Sequence, residues 1–240
     1  MADTDWQVLP HDDLVPLADN LWRVEGALPG QPLRRCMVVA RSVDGDLALH
    51  SAIAMDEPHM EELESLGRPR WLVVPNGWHR LDAARYKARY PDLQVVCPAK
   101  ARKQVERKVP VDGTYDDFSS LDGPGTIRLE HFDPARHFEG AMVVRSDDGL
   151  TLVFADSVFN LPHGTGFFWW FYGRVLGNSG GPRVTTISRV MMTITRSRSA
   201  LRQYLARYAD RDDVVRIVPG HGDVIADDAP AVLRRLADSL

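Results

Sequence analysis

At 240 residues, with 44% hydrophobic and 26% charged residues, the chain has the composition of an ordinary globular protein rather than of a disordered or membrane-spanning one. A formal net charge of −4 argues against a general nucleic-acid binder. The two cysteines, Cys36 and Cys97, lie in apolar runs without a Cys-x-x-Cys pair, which reads as buried free thiols and disfavours a thiolate zinc site.

In chain order, Leu21–Glu25 and Cys36–Arg41 read as strands, and Asp46–Ser51 as a third behind a Val-Asp-Gly-Asp turn. Glu57–Leu66 carries Met60, Leu63 and Leu66 at helical spacing behind an acidic opening, and Gly67 closes it. Trp71–Pro75 predicts a buried strand, and Asp82 the N-cap of a helix through Tyr90. Leu93–Cys97 predicts another strand and Lys100–Lys108 a basic helix. A polar loop, Val111–Gly125, precedes strands at Thr126–Phe132, Ala141–Ser146 and Leu150–Ala155. Leu161–Pro182 concentrates aromatics and glycines within an insertion spanning 161–198. A helix over Ser199–Tyr208, the strand Val214–Val218 and a helix over Pro230–Ser239 complete the chain.

No linker and no fixed-period repeat divides the sequence, so 1–240 is expected to form one domain behind an acidic lead-in, 1–19, that lacks the pattern of a signal peptide. Two successive sets of strands and helices predict two sheets packed face to face with helices outside. No apolar run reaches the roughly 20 residues a bilayer requires. The expected compartment is the cytoplasm, with neither membrane nor nucleic acid as partner.

Four segments end a strand at a residue able to bind metal or substrate. They are Val73–Asp82 (Val-Val-Pro-Asn-Gly-Trp-His-Arg-Leu-Asp), Asp133–Gly140 (Asp-Pro-Ala-Arg-His-Phe-Glu-Gly), Val153–Ser157 (Val-Phe-Ala-Asp-Ser) and Val218–Gly222 (Val-Pro-Gly-His-Gly). The last is the sharpest signal. A β-branched run feeds a Pro-Gly turn that holds His221 between two glycines, which let the backbone come close to whatever surrounds the imidazole.

The order, spacing and character of these segments resemble the metallo-β-lactamase superfamily, from about Leu21 to Ile225. The resemblance implies an αββα four-layer sandwich of two mixed sheets, with the site at one edge of both. It also implies metal ligands at His137, Asp156 and His221. The first motif of the family, His-x-His-x-Asp-His, is degenerate here: Asn76 and Trp78 fall where histidines belong, and Arg80 and Leu81 where Asp-His belongs. Only His79 is recovered by a shift of register, with Asp82 behind it. The stretch, together with Leu-His-Ser-Ala at Leu49–Ala52, is similar to an uncharacterised subgroup with Pro-Asn-x-x-His-His-Leu at this point.

His79, His137, Asp156 and His221 could furnish one zinc or iron site but not the six side-chain ligands of a binuclear one. His79, Arg80 and Asp156 are the candidate catalytic residues of a hydrolase acting on an ester, thioester, amide or phosphoester. Two other readings stay open: a metal-free relative in which Arg80, His79 and His221 bind an anionic small molecule, and a protein that dimerises through Phe167–Tyr172. That aromatic run reads first as a loop or short helix packed onto the sandwich, and last as a lid over the site. His50 is either a satisfied histidine bridging two loops or a group that orients a ligand. Asn76 suits an Asx-turn, and His11, His59 and His131 are read as surface or core histidines. No Ser-His-Asp motif and no phosphate-binding glycine loop is recognisable.

Overall fold

The computed structural model describes residues 4–166 and 169–240. Thirteen strands among these residues form two main sheets and a small hairpin. The first sheet runs in sequence order: β1 (Val15–Ala18), β2 (Leu21–Leu28), β3 (Gln31–Arg41), β4 (Asp46–His50), β5 (Arg68–Val73), β6 (Gln94–Cys97) and β7 (Gly113–Thr114). β1 to β4 pair antiparallel and β4 to β7 parallel. The second sheet contains β8 (Ile127–His131), β9 (Gly140–Ser146), β10 (Gly149–Val153) and β13 (Val214–Val218) in the order β13-β10-β9-β8. β11 (Phe159–Leu161) and β12 (Gly181–Arg183) pair as a separate antiparallel ribbon.

The period-2 alternation of the strands sorts side chains into layers. Cys36, Val38 and Ala40 of β3 meet Met142 and Val144 of β9 between the sheets. Met37 and Val39 face the other way, toward α1 (Glu57–Leu66), α2 (Ala83–Arg89) and α3 (Arg102–Val105). Ala141, Val143, Leu150 and Leu152 likewise pack under α5 (Arg198–Ala209) and α6 (Ala229–Asp238), which are joined on that face by Met192 of α4 (Thr186–Thr195). The result is the four-layer sandwich expected from the sequence.

Local chemistry accounts for the element boundaries. Asp56 accepts the His59 amide and Pro58 opens the first turn of α1, while Met60 and Leu63 bury its inner face. The expected helix over Lys100–Lys108 is shorter: a 3₁₀ turn at Ala99–Ala101 precedes α3, and Pro110 disfavours helical backbone at Val109. α4 has no counterpart among the elements expected from the sequence. Thr185 caps it by accepting the Ser188 amide, but it follows a Gly- and Pro-rich stretch, and Ile187, Val190 and Ile194 are exposed, so its apolar pattern does not mark a buried face. No helix among the described residues is long and apolar enough to cross a membrane.

Topology brings the four candidate segments to one rim. Neighbouring parallel strands end together. His50 lies opposite Val73, so Ser51 and the loop 74–82 leave β4 and β5 side by side. Val153 lies opposite Val218, so Asp156 and His221 leave β10 and β13 side by side. β9 runs antiparallel to β10, which places its start, and with it 137–139, at the same rim.

Candidate functional site

Asp156 is the centre of the site. His79 Nε2 lies 3.1 Å and His221 Nε2 3.4 Å from its Oδ1. One ligand atom from each of the three residues lies within 4.8 Å of the other two. Asn76 Nδ2 donates to the other oxygen, Oδ2, at 2.8 Å. Burial pushes the Asp156 carboxyl up, but the two imidazoles more than offset it and hold it well below the usual carboxylate range. His79 moves the other way: burial pulls it down, Asp156 outweighs this, and the net shift is upward.

Each imidazole is fixed through its far nitrogen. His221 Nδ1 bonds the Arg34 carbonyl of β3. A carbonyl only accepts, so Nδ1 carries a proton, and Nε2 is the nitrogen turned toward Asp156. His79 Nδ1 bonds Ser51 Oγ at 2.9 Å. Ser51 stands in left-handed backbone, φ 58°, just past the end of β4, a turn that aims its hydroxyl at His79 instead of along the strand. Serine, histidine and aspartate therefore stand in a hydrogen-bonded series although the sequence shows no such motif, because their separations, 28 and 77 residues, are set by sheet topology.

The loops beneath are held differently on the two sides. Asn76 forms the expected Asx-turn, its Oδ1 accepting the amides of Trp78 at 2.8 Å and His79 at 3.1 Å. Its side chain thus aims His79 and braces Asp156 at once. Asp82 occupies the N-cap position of α2 without capping it. Its buried carboxylate instead takes Arg35 and Arg85, each at 2.5 Å, and the Ala54 amide at 3.1 Å. On the second sheet, Glu139 accepts the amides of Ala155, Asp156 and Ser157 at 2.9–3.1 Å and so grips the loop that carries Asp156. Burial, with Asp156 beside it, pushes the Glu139 carboxyl up to about 7. A Cβ on Gly220 would lie 2.6 Å from the Ala155 carbonyl, and one on Gly222 (φ +93°) 2.1 Å from that of Asn160. The glycines around His221 therefore serve backbone approach to neighbouring loops.

Three of the four expected ligands are gathered and the fourth stands apart. His137 lines the same cavity, but among the described residues it does not join the group around Asp156. Its Nδ1 sits 3.1 Å from both the amide and the carbonyl of Glu139, its ring meets the Phe132 ring edge-on, and burial pulls it down to about 4. Arg80 turns its guanidinium onto the Gln104 carbonyl and is not among the residues lining the cavity. Arg35 lines it instead. His50 is buried with Nε2 unpartnered among the described residues, and burial pulls it down to about 3. Among the described residues no hydrogen bond ties its side chain to a second loop, and Ser51 bonds the far nitrogen of His79.

The cavity over these groups measures about 510 Å³. Tyr172 of the aromatic stretch lines it, Trp169 packs with Leu33, Phe159 and Leu161, and Trp170 and Phe171 are about half exposed. Phe167 and Phe168 lie outside the described residues. A second group, His11, Asp56 and His59, sits at the start of α1. It is a helix cap: His11 Nε2 accepts the Asp56 amide and His59 bonds the Asp56 carboxylate.

The donor set around Asp156, two imidazole nitrogens and a carboxylate oxygen, matches what zinc or iron(II) takes. No protein-family model and no curated protein matches the sequence. Solved structures are similar in fold. DIM-1 metallo-β-lactamase superposes with a TM-score of 0.61 at 13% identity, over 97% of this chain and 99% of that one. VMB-1 gives 0.62 at 13% identity, over 97% of each chain. The mono-zinc form of FIM-1 metallo-β-lactamase from Pseudomonas aeruginosa gives 0.60 at 13% identity, over 97% of this chain and 96% of that one. With its two mixed sheets, its outer helices and a site at their common rim, the chain has the metallo-β-lactamase fold.

Proposed function

We propose that the protein is a hydrolase that works with one divalent metal, zinc or iron, held by His79, Asp156 and His221. The observation that carries this reading is the arrangement of His221: its Nδ1 is tied to the Arg34 carbonyl while its Nε2 lies 3.4 Å from a carboxylate oxygen of Asp156. Outer partners that fix Nδ1 and leave Nε2 to the site are the usual support of a metal-binding histidine. When bound, such a metal polarises a carbonyl and lowers the pKa of water. Asp156 supplies the negative charge that the cation requires, and Asn76 keeps its second oxygen from rotating away. Ser51 and Arg34 hold the two imidazole planes. Arg80 has no part in this reading, and His137 contributes to the cavity wall.

The fold neighbour in a mono-zinc form supports a single-metal site as compatible with this architecture. Elemental analysis of untagged protein purified without chelator, beside His221→Ala, tests the reading. About one equivalent of zinc or iron, lost in the variant, is expected. Two equivalents, or none after supplementation, overturns it.

The exposure of Trp170 and Phe171 favours a second, compatible reading, in which the stretch Phe167–Tyr172 mediates self-association. Sedimentation of a Trp169→Ser, Trp170→Ser variant is expected to give a lower mass than wild type, and an unchanged mass rejects it.

A further inference from the structure

The hydrogen-bonded polar groups of the cavity gather at the site, while Gln31, Thr185, Ser188, Thr195 and Ser197 add neutral polar groups elsewhere on the wall. His79, Asp156, His221, Asn76, Ser51 and Glu139 are tied to one another or to adjacent backbone by hydrogen bonds. Most of the remaining wall is apolar: it includes Leu28 and Leu33 in the β2–β3 hairpin, Ile187, Met191 and Met192 of α4, and aromatic rings such as Phe159 and Tyr172. Arg35 is the one Lys or Arg among the described lining residues, and its guanidinium is held by Asp82 and by the carbonyls of Ala27 and Ala52. An anionic group away from Asp156 would therefore meet no uncommitted cation among the described lining residues. Apolar matter would meet a wall suited to it.

The α4 wall has a direction. Ile187, Ser188, Met191, Met192 and Thr195 recur at helical spacing, so one face of the helix lines the cavity over two turns, about 12 Å. Ile187 is 58% exposed, so this face begins at the surface. The two methionines adapt to chains of differing shape, which a rigid aromatic wall would not.

We infer that the substrate is an uncharged carboxylic ester, thioester or amide whose acyl arm is an unbranched apolar chain, lying along α4 with its carbonyl at Asp156. This rests on the proposed hydrolase reading for the reaction but not for the binding of the arm. A wall of this length suits an arm of roughly eight to ten carbons at about 1.5 Å per bond. It narrows the substrate range left open by the sequence, since a phosphoester would bring a negative charge beside the Asp156 carboxylate where an acyl carbonyl brings none.

The test is a calorimetric binding series with straight-chain primary amides, from butanamide to decanamide. It is run on chelator-treated and on zinc-supplemented protein. Affinity is expected to rise about fourfold per methylene in both preparations. Met191→Gln, which keeps side-chain length but adds an amide, is expected to flatten the rise. Ile187→Asn, at an exposed position that leaves the core intact, is expected to shorten the range over which it continues. No dependence on chain length in the wild type overturns the inference, and so does a wild-type slope in both variants. A slope on protein that binds no zinc leaves this inference standing while the metal reading fails.

Discussion

The two sheets each deliver one histidine to Asp156, and they do so by opposite means. On the first sheet the loop 74–82 is built from side chains: Asn76 collects two amides and a carboxylate, and Asp82 collects two buried guanidinium groups. On the second, the loop around His221 is built from backbone, with Gly220 on the Ala155 carbonyl and Gly222 on that of Asn160. A loop made of polar side chains fails when a partner is removed. A loop made of close backbone fails when an atom is added.

Asp82→Asn is therefore expected to have the largest effect on stability. Asp82 is 1% exposed, and the change leaves Arg35 and Arg85 buried with their shared charge partner gone. Breaking a buried pair in this way costs about 3–5 kcal/mol. Denaturant unfolding of the variant measures it, and a loss below about 1 kcal/mol would show that the two arginines find other partners. On the second sheet, Gly222→Ala adds a Cβ in left-handed backbone against a carbonyl that cannot yield. About 2–3 kcal/mol is expected. The same substitution at Gly30 meets nothing within 4 Å, so only the conformational cost of its φ of +73° remains there. The difference between the two variants isolates the contact, and equal losses would refute it.

This contrast also explains which features the sequence made legible. The second-sheet loop announces itself, because glycines on both sides of a histidine are a local signal of close approach. The Asx-turn at Asn76 is local too. Arg35, Glu139 and Ser51 act on partners 47, 17 and 28 residues away, and no short window relates them. Asp82 was legible as a helix boundary, yet its carboxylate serves the buried arginines because two charges in the core outweigh one helix amide. His137 and Arg80, placed by motif alignment alone, are the two expected site residues that the fold sets apart from Asp156. The sandwich itself was legible since strand alternation is local; α4 was not, because its apolar residues line a cavity and a surface instead of a core.

Removing the orienting groups sharpens the comparison within the first loop. Asn76→Ala and Ser51→Ala are each expected to weaken metal binding by about 10–100-fold, as loss of outer partners does elsewhere. Competition with a chelator of known affinity reads this directly. If Ser51→Ala instead abolished hydrolysis at full metal occupancy, the serine would be the nucleophile of the series Ser51–His79–Asp156, not a support for it.

The smallest expected effect lies beneath both loops. His50 shares the inter-sheet face of β4 with Ala48, and it is held neutral by burial, its pKa lowered from 6.5 to about 3. A base whose pKa is lower in the folded state binds fewer protons there than in the unfolded chain. The stability contributed by the neutral ring is therefore fully present above about pH 6.5 and is lost as pH falls toward 3. His137, lowered to about 4, acts in the same sense. These two histidines pull the melting temperature down from pH 6.5 to 4, against Glu139, whose carboxyl, raised to about 7, pulls it up. His50→Leu removes one of the two histidine titrations and replaces a ring whose Nε2 has no hydrogen-bond partner among the described residues. At pH 7.5 it is expected to change stability by less than about 1 kcal/mol, since an unsatisfied polar atom is exchanged for apolar volume. Below pH 6.5 it should lose less stability than wild type, because the His50 contribution is gone while those of His137 and Glu139 remain. An acid limb identical to wild type would mean that His50 is reached by solvent before the sheets separate, and that the rim above it opens first.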